Sequence, residues 1–344
     1  MNKRIILVVP HHFEMYNLMK KNLEKVGYDV VLLFVSDTKF RYRNLADRLR
    51  NFFLKTFFND KNYKNFLRKN YNNAQLTACL KEIKVKVDYT LIIRPDFFSK
   101  EILESAKEKS KTIVAYQWDG LSRFPDVFKV IGVFDSFFVF DIDDYDNYKE
   151  QFPNIKPITN FYFDSEVCEI KEPFYEIFYL GSFIPNRMKS LIKIANICKN
   201  LNLKTNIVIR YFDKETPKQY KSENISYTQS QKNYTEVLQD VKNAKCLLDF
   251  SNDFHNGLSF RTFEALRFEK KLITNNQIIK NYDFYNPANI FVWNEDDIDS
   301  KNLEEFMKTP YKKIDEKIKQ KYSFTNWINY VLDNPPYTEI TNQL

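Results

Sequence analysis

Short apolar runs and stretches of helical periodicity alternate along the first half of the chain. Apolar residues at 15, 18, 19, 23 and 26 share one helical face, and Gly27 ends that pattern. Strands that are almost continuously apolar and separated by helices are typical of a parallel sheet covered on both faces. This half therefore predicts a Rossmann-like domain. Its predicted strands are 5–9, 30–35, 90–94, 112–118, 137–140 and 157–159.

The same alternation starts again in the second half. A strand predicted at 176–180 leads through the loop 181–186 into a helix that carries Leu191, Ile194 and Leu201. The closing stretch 318–332 predicts a terminal helix with an aromatic face. A second sheet of the same kind is expected. Its further predicted strands are 205–210, 246–250 and 271–274, with helices at 234–244 and 261–268.

Residues 165–173 have no periodic pattern and separate the two halves. The chain has 344 residues, whereas one domain usually holds about 100–200. The pattern predicts domains at 1–165 and 166–344, in the α/β class, with two Rossmann-like lobes, a cleft between them and a C-terminal helix. Open parallel sheets bind ligands beyond the carboxyl ends of their strands, so a ligand is expected in that cleft.

Positive charge is concentrated in one segment. The chain carries a net charge of +7, while residues 39–69 hold ten basic and two acidic residues, a net charge of +8. Leu45, Leu49, Phe52, Phe53 and Phe57 recur there at helical spacing.

A basic helix with an aromatic face is attracted to anionic lipid, so an anionic membrane surface is one predicted partner of residues 39–71. The alternative is a solvated helix whose apolar side packs on its own domain. Nucleic acid is not an expected partner, because no helix-turn-helix, RNP or zinc-finger pattern accompanies the charge.

The signals for compartment are few. The first apolar run ends at His11 after six residues, which is shorter than the roughly 7–15 residues of a secretory signal core. The sequence contains no run of about 18 uncharged apolar residues, which is the length needed to span a membrane. The four scattered cysteines, Cys79, Cys168, Cys198 and Cys246, form no C-x-x-C pair and favour buried thiols in a reducing compartment. We expect a cytoplasmic protein, either free or held peripherally at the inner face of the cytoplasmic membrane.

Two common phosphate-binding fingerprints are absent. A chain with five glycines contains neither G-x-G-x-x-G nor G-x-x-x-x-G-K-[ST], which disfavours dinucleotide dehydrogenases and P-loop NTPases. Instead, a loop of small and polar residues leads into the helix that holds Arg261 and Glu264. A helix N-terminus attracts an anion such as a diphosphate, and the Arg261 guanidinium matches phosphate geometry. Glu264 is placed to accept hydrogen bonds from ribose hydroxyls. The alternative interpretation is an ordinary helix start.

The run 259–266, Ser-Phe-Arg-Thr-Phe-Glu-Ala-Leu, together with Leu-Ile-Thr at 272–274, resembles the donor-binding half of GT-B glycosyltransferases. The likeness is to bacterial lipopolysaccharide-core, capsule and CgeB-like enzymes. That family has a small-residue loop, a Glu-Ala-Leu or Glu-Ala-Met helix start and a short strand ending in threonine. It also has a basic residue after the first strand of its second lobe, which Arg187 matches. The resemblance covers residues 175–330 and reaches the first lobe only through its architecture and residues 116–119.

The resemblance implies transfer of a sugar from a nucleotide-sugar donor to a lipopolysaccharide- or capsule-type glycan or lipid-linked glycan acceptor. Asn256 stands where retaining members often carry a second glutamate, so the anomeric stereochemistry stays open. The donor-binding residues that it implies are Gly181, Ser182, Arg187, Asn256, Gly257, Ser259, Arg261 and Glu264.

The first lobe is expected to supply the base that takes a proton from the acceptor hydroxyl. Asp119 and His12 rank first, because each follows a predicted strand and so belongs at the carboxyl edge of the sheet. His11 and Asp96 are further candidates. The alternative is that the aspartates cap turns and the histidines are satisfied core residues.

Asp141-Ile142-Asp143 follows an apolar strand, as the metal-binding D-x-D of GT-A glycosyltransferases does. A carboxylate-rich helix start is the other interpretation. We expect no cofactor or metal, because cationic side chains and a helix dipole can stabilise a leaving diphosphate. Two rivals remain: a polyol-phosphate transferase or nucleotide-sugar epimerase, and a non-catalytic, membrane-associated glycan assembly factor.

Overall fold

The chain forms two compact units, each built on one sheet. Unit 1 comprises Met1–Ile158 and Val331–Pro335, and unit 2 comprises Thr159–Tyr330 and Pro336–Leu344. The boundary predicted between 165 and 166 lies outside the described residues. The computed structural model describes residues 2–11, 14–35, 42, 44–58, 62–164, 173–212, 216–220, 222–251, 255–294 and 298–340.

Unit 1 contains a six-stranded parallel sheet in the order β2-β1-β3-β4-β5-β6. Ile5 of β1 pairs with Val30 on one side and Tyr89 on the other. Residues 5–9 are fully buried, which agrees with a strand covered on both faces. The strands are β1 Arg4–Pro10, β2 Asp29–Val35, β3 Val87–Ile93, β4 Ser110–Gln117, β5 Ser136–Val139 and β6 Ile155–Pro157.

Five α-helices accompany this sheet in the described part of unit 1. Gly27 ends the first of them with a φ of 101°, in the left-handed region that favours glycine. Its N–H donates to the Glu24 carbonyl at 3.0 Å. The helices are α1 Met15–Val26, α2 Leu45–Phe57, α3 Asn62–Glu82, α4 Lys100–Glu108 and α5 Ile142–Tyr148.

Unit 2 contains a second six-stranded parallel sheet, in the order β12-β11-β10-β7-β8-β9. The chain starts at a central strand, builds outward on one side, and then returns to build outward on the other, as in Rossmann folds. The predicted Rossmann-like architecture is therefore confirmed. The strands are β7 Tyr175–Ser182, β8 Thr205–Arg210, β9 Ser226–Thr228, β10 Ala244–Asp249, β11 Lys271–Thr274 and β12 Ile290–Val292.

Seven α-helices follow α5 in the described part of the chain. The predicted C-terminal helix is present as the last of these, but the stretch 318–332 is not one helix. Tyr162 interrupts it: the Tyr162 N–H donates to the Tyr322 carbonyl at 3.0 Å, and the Phe324 N–H donates to the Tyr162 carbonyl at 2.8 Å. The helices are α6 Pro185–Asn200, α7 Thr216–Gln219, α8 Tyr234–Lys242, α9 Phe260–Arg267, α10 Ser300–Lys308, α11 Glu316–Lys321 and α12 Phe324–Val331.

The cysteines that the structure describes are free thiols. Cys198 and Cys246 are buried and Cys79 is partly buried, whereas Cys168 lies outside the described residues. Burial raises the pKa of the Cys198 thiol to about 12, so it is an inert core residue at neutral pH. In the same described ranges, no helix combines the length and the hydropathy needed to cross a membrane.

Candidate functional site

The candidate site lies where the strand order of the unit 2 sheet reverses. β7 and β10 are neighbours there, although the chain reaches β10 only after building β8 and β9. In open α/β sheets, ligands bind beyond the carboxyl ends of the two strands at such a switch point. β7 ends at Ser182 and β10 ends at Asp249. The predicted residues Gly181 and Ser182 therefore lie at this edge.

Asp249 organises the edge, although the sequence analysis did not select it. Its side chain is only 5% exposed. One carboxylate oxygen accepts hydrogen bonds from Arg261 and from the Ser259 hydroxyl, both at 2.9 Å, and the other lies 3.5 Å from the Thr274 hydroxyl. A buried carboxylate requires such partners. Asp249 thereby ties the end of β10 to the start of α9 and the end of β11.

Arg261 bridges the two strands of the switch point. Besides its ion pair with Asp249, it donates to the Leu180 carbonyl of β7 at 2.6 Å. Its guanidinium carbon lies 5.1 Å from the centre of the Tyr179 ring. About a fifth of the side chain, 21%, is exposed. Because an arginine has five N–H donors, a guanidinium fixed in this way and open to solvent is suited to contact an anion.

Ser259 is the N-cap residue of α9, yet its side chain makes no cap hydrogen bond. A serine at this position usually accepts a hydrogen bond from the first turn of the helix. Here the hydroxyl donates to Asp249 instead. The partial positive charge at the start of α9 is thus directed to the same edge as Arg261.

The loop before α9 is anchored from two sides. The Asn256 carbonyl accepts a hydrogen bond from the Asn276 amide at 2.9 Å, and the Leu258 carbonyl accepts one from the Asn160 amide at 2.8 Å. Gly257 between them is buried. The backbone of this predicted donor loop is therefore held in place without a ligand.

Gly181 has a steric reason to be glycine. A Cβ atom at this position would overlap the hydroxyl of Tyr179, which lies two residues earlier on β7. Tyr179 is buried and also faces the Arg261 guanidinium. Gly181 therefore lets the Tyr179 ring reach the site edge.

Arg187, in the first turn of α6, lies on the connection that follows β7. Its guanidinium donates to the Ser251 carbonyl at 2.8 Å, just beyond the end of β10. The Ser251 N–H in turn donates to the Asn275 side chain at 2.6 Å. Arg187 and Arg261 thus approach the β7–β10 edge from two different helices.

Glu264 faces inward. It is 4% exposed and accepts a hydrogen bond from the hydroxyl of Tyr234 on α8. Burial raises the pKa of the Glu264 carboxyl, with Tyr234 and Arg261 opposing that shift. The contact of Glu264 with a ribose stays a prediction. A ribose hydroxyl would have to share the Glu264 carboxylate with the Tyr234 hydroxyl.

In unit 1, Asp119 belongs to an ion-pair cluster. It accepts hydrogen bonds from Arg94 at 2.6 Å and Arg123 at 2.9 Å. Arg94 also binds Asp96 through two nitrogens, each at 2.7 Å, and its guanidinium lies 3.7 Å from the centre of the Phe124 ring. To act as a base, Asp119 must release or share these contacts.

The structure describes one of the two histidine candidates, His11. His12 lies outside the described residues. The His11 Nε2 atom is 3.3 Å from the Tyr16 hydroxyl, and its ring packs against Phe34. The assignment of the base to Asp119 or His12 stays a prediction.

The acidic run after β5 begins a helix. Asp141 is the N-cap residue of α5, and its side chain accepts a hydrogen bond from the Asp143 N–H at 3.3 Å. Asp144 is buried and accepts one from the Leu121 N–H at 2.8 Å. These contacts correspond to the helix-start interpretation. Within the described residues, no group of three or more histidine, cysteine or acidic side chains is placed to hold a metal ion.

No protein-family model matches the chain, and no curated protein matches it. The fold is similar to solved structures. AviGT4, a glycosyltransferase involved in avilamycin A biosynthesis, matches at 9% identity with a TM-score of 0.49, covering 89% of this chain and 88% of that one. UDP-GlcNAc 2-epimerase from Neisseria meningitidis bound to UDP-GlcNAc matches at 11% identity with a TM-score of 0.47, covering 90% and 95%.

A proposed UDP-N-acetylglucosamine 2-epimerase from Listeria monocytogenes matches at 8% identity with a TM-score of 0.49, covering 99% of this chain and 100% of that one. Glycosyltransferases and epimerases are thus both among its structural neighbours. Likenesses at this level do not determine activity, because one fold hosts many functions. The functional conclusion therefore depends on the side chains of this chain.

Proposed function

We propose that the chain is a glycosyltransferase whose nucleotide-sugar donor binds at the carboxyl edge of the unit 2 sheet. The observation that carries this proposal is the position of Arg261. Asp249 and the Leu180 carbonyl hold its guanidinium at the switch point, beside the start of α9. Cation, helix N-terminus and strand switch point coincide there, and each favours a phosphorylated ligand.

In this proposal Arg261 and Arg187 contact the diphosphate, and backbone groups at Gly181, Ser182 and residues 256–259 line its path. When the bond from the sugar to the diphosphate breaks, negative charge grows on the leaving oxygen. Fixed cations and a helix dipole stabilise that charge without reorganising, so no metal or other cofactor is required. Glu264 is assigned to the ribose.

The acceptor hydroxyl must lose a proton as it attacks the donor carbon. We assign that proton to a base from unit 1, with Asp119 and His12 as the candidates. The Arg94 and Arg123 contacts hold the Asp119 carboxylate in one orientation. A fixed carboxylate serves general-base catalysis only if the acceptor reaches its oxygen directly or through one water.

The acceptor is proposed to be a lipopolysaccharide- or capsule-type glycan, free or lipid-linked, in the cytoplasm or at the inner face of the cytoplasmic membrane. This assignment depends on the resemblance of residues 259–266 and 272–274 to enzymes of that type. The rival activities, polyol-phosphate transfer and nucleotide-sugar epimerisation, use the same donor features and differ in product. A non-catalytic assembly factor gives no product.

Product analysis separates these activities when nucleotide-activated polyols are assayed beside the nucleotide sugars. The purified full-length chain is incubated with a panel of nucleotide sugars, with and without a glycan acceptor, and the products are identified by mass spectrometry. Glycosyl transfer predicts acceptor-dependent release of a nucleoside diphosphate and an acceptor heavier by one sugar. An acceptor heavier by one polyol phosphate would establish polyol-phosphate transfer. An isomeric nucleotide sugar formed without acceptor would establish the epimerase instead. Nucleotide binding with no product would favour the non-catalytic role.

A further inference from the structure

Helix α2 of unit 1 is packed in an unusual orientation. Its apolar side chains Leu45, Leu49, Phe52, Phe53 and Phe57 follow the spacing i, i+4, i+7, i+8 and i+12, which places them on one face. That face is directed to solvent: the exposed fractions run from 51% for Phe53 to 75% for Leu45. None of the residues of α2 is buried. A surface helix normally turns such a face toward the core.

The opposite face of α2 is the one that packs against the protein. Asp47, Asn51 and Leu54 are the partly buried residues of the helix, and they share the spacing i, i+4 and i+7. The Asp47 carboxylate accepts a hydrogen bond from the Tyr63 hydroxyl of α3 at 2.9 Å. Arg50 lies 5.0 Å from the centre of the same ring. Polar contacts therefore fix α2 to α3 and leave its apolar stripe outward.

The exposed stripe is reinforced by its own aromatic rings. The Phe53 and Phe57 ring centres are 4.8 Å apart, and those of Phe53 and Phe58 are 5.7 Å apart. Phe66 of α3 is also 58% exposed. Several large apolar side chains exposed next to one another are typical of an interaction site.

Positive charge flanks this stripe on both sides. By helical geometry Arg48 and Lys55 lie along one edge and Arg50 along the other. Residues 44–58 and 62–69, which the structure describes, hold six basic residues and one acidic residue, a net charge of +5. Two copies of the chain that met through this face would bring two such segments together, so like-charge repulsion disfavours self-association. A nucleic acid would place its charged phosphates against the apolar centre of the face, so nucleic acid is disfavoured as the partner as well.

We propose that the apolar face of α2 is a docking surface for a membrane that contains anionic lipid. Its phenylalanine and leucine side chains enter the boundary between headgroups and acyl chains, and Arg48, Arg50 and Lys55 contact the anionic headgroups. This inference goes beyond the proposed reaction and does not depend on it, because the surface belongs to unit 1 and its test requires neither nucleotide nor acceptor.

Vesicle flotation with the full-length chain tests this surface. We expect binding to vesicles that contain phosphatidylglycerol, little binding to pure phosphatidylcholine, and weaker binding at high salt. The double variant Phe53→Ser/Phe57→Ser is expected to lower the affinity more than tenfold. Arg48→Gln/Lys55→Gln should lower it about fivefold for each positive charge removed. All four positions are exposed, so the fold should be retained.

Two matched controls make the result specific. Phe174→Ser/Phe212→Ser removes two phenylalanines outside α2 that are 59% and 75% exposed, against 51% and 67% for Phe53 and Phe57. Lys100→Gln/Lys129→Gln removes two exposed positive charges elsewhere on unit 1. The proposal is wrong if the parent binds neutral and anionic vesicles equally or not at all, or if these controls lose as much affinity as the α2 variants. It is equally wrong if the parent dimerises and Phe53→Ser/Phe57→Ser abolishes only the dimer.

Discussion

Asp249, Glu264 and Asp144 are buried carboxylates at the end of strand β10, in the middle of helix α9 and in the first turn of helix α5. Asp249, Glu264 and Asp144 are each at most 8% exposed, and each is held by a named donor. Asp249 is paired with a cation, Glu264 with a hydroxyl, and Asp144 with a backbone N–H. Burial raises the pKa of the Glu264 carboxyl and that of the Asp144 carboxyl.

Asp144 provides a pH-dependent test at the scale of one residue. Burial raises its pKa from 3.8 to about 6, with Asp141 and Asp143 adding to that shift. The folded state therefore holds the proton more tightly than the unfolded state. Its contribution to stability is full below the ordinary pKa near 4 and is lost as the pH rises to about 6.

Asp144→Asn keeps an oxygen that can accept from Leu121 but does not titrate. Between pH 4 and pH 6, the free energy of unfolding of the parent should fall as Asp144 ionises in the folded state. The variant lacks this titrating group, so its free energy of unfolding should fall less over the same pH range. Urea unfolding at a series of pH values measures it. Asp146→Asn, at an exposed position on the same helix, is the control and should retain the parent's pH profile. Identical profiles for Asp144→Asn and the parent would contradict this account.

At the scale of single elements, the apolar pattern predicts most of the structure because central strands such as β1, β3 and β4 are buried along most of their length. β9 and β12 were not predicted, since each has only three residues: Ser226–Thr228 of β9 is largely polar, and the apolar run Ile290–Val292 of β12 is very short. The interruption between α11 and α12 was not predicted either. That interruption arises from pairing with Tyr162, which is distant in sequence and invisible to local periodicity.

Only part of the candidate site can be predicted from local sequence patterns. The motif around Arg261 is local, so the sequence reveals it. Asp249 was missed, although an acidic residue at the end of an apolar strand is a usable signal. Its role depends on contacts with residues ten, twelve and twenty-five positions away, which only the fold brings together. The inward orientation of Glu264 depends on Tyr234 in the same way.

The end of α1 gives a test at the scale of an element. Gly27 and Gly132 both have open space where a Cβ would stand, but only Gly27 has a positive φ, of 101°. Gly27→Ala should therefore destabilise the protein by about 1–2 kcal/mol through backbone strain alone. Gly132→Ala should change stability by less than about 0.5 kcal/mol. Thermal or urea unfolding of the two variants checks this contrast, and equal effects would contradict it.

At the scale of the whole molecule, the chain builds two sheets but does not divide at a single point. Residues 331–335 return to unit 1 after unit 2 is nearly complete. Asn334 accepts a hydrogen bond from Lys3 and donates one to Tyr28 at 3.2 Å, both in unit 1. Val331 and Leu332 are buried. Residues 331–335 are therefore part of the packing of unit 1, although they follow nearly all of unit 2 in the sequence.

The proposed nucleotide site and the proposed membrane surface lie in different units. Unit 2 carries the Arg261–Asp249 cluster at its strand switch point, and unit 1 carries the exposed stripe of α2. Because these features are independent, each can be removed without the other. Above all, we propose that the unit 2 edge binds a nucleoside diphosphate through Arg261.

Nucleotide binding by the intact chain tests that claim most directly, by thermal shift against UDP, GDP, CMP, dTDP and ADP, with and without a divalent cation. A nucleotide at about 100 times its Kd should stabilise the parent by roughly 2.7 kcal/mol. Arg261→Gln/Asp249→Asn removes both charges together, so no buried carboxylate is left unpaired, and it should bind at least tenfold more weakly. Arg267→Gln, at the far end of α9, should bind like the parent. The claim is contradicted if no nucleotide stabilises the parent or if the double variant binds as the parent does.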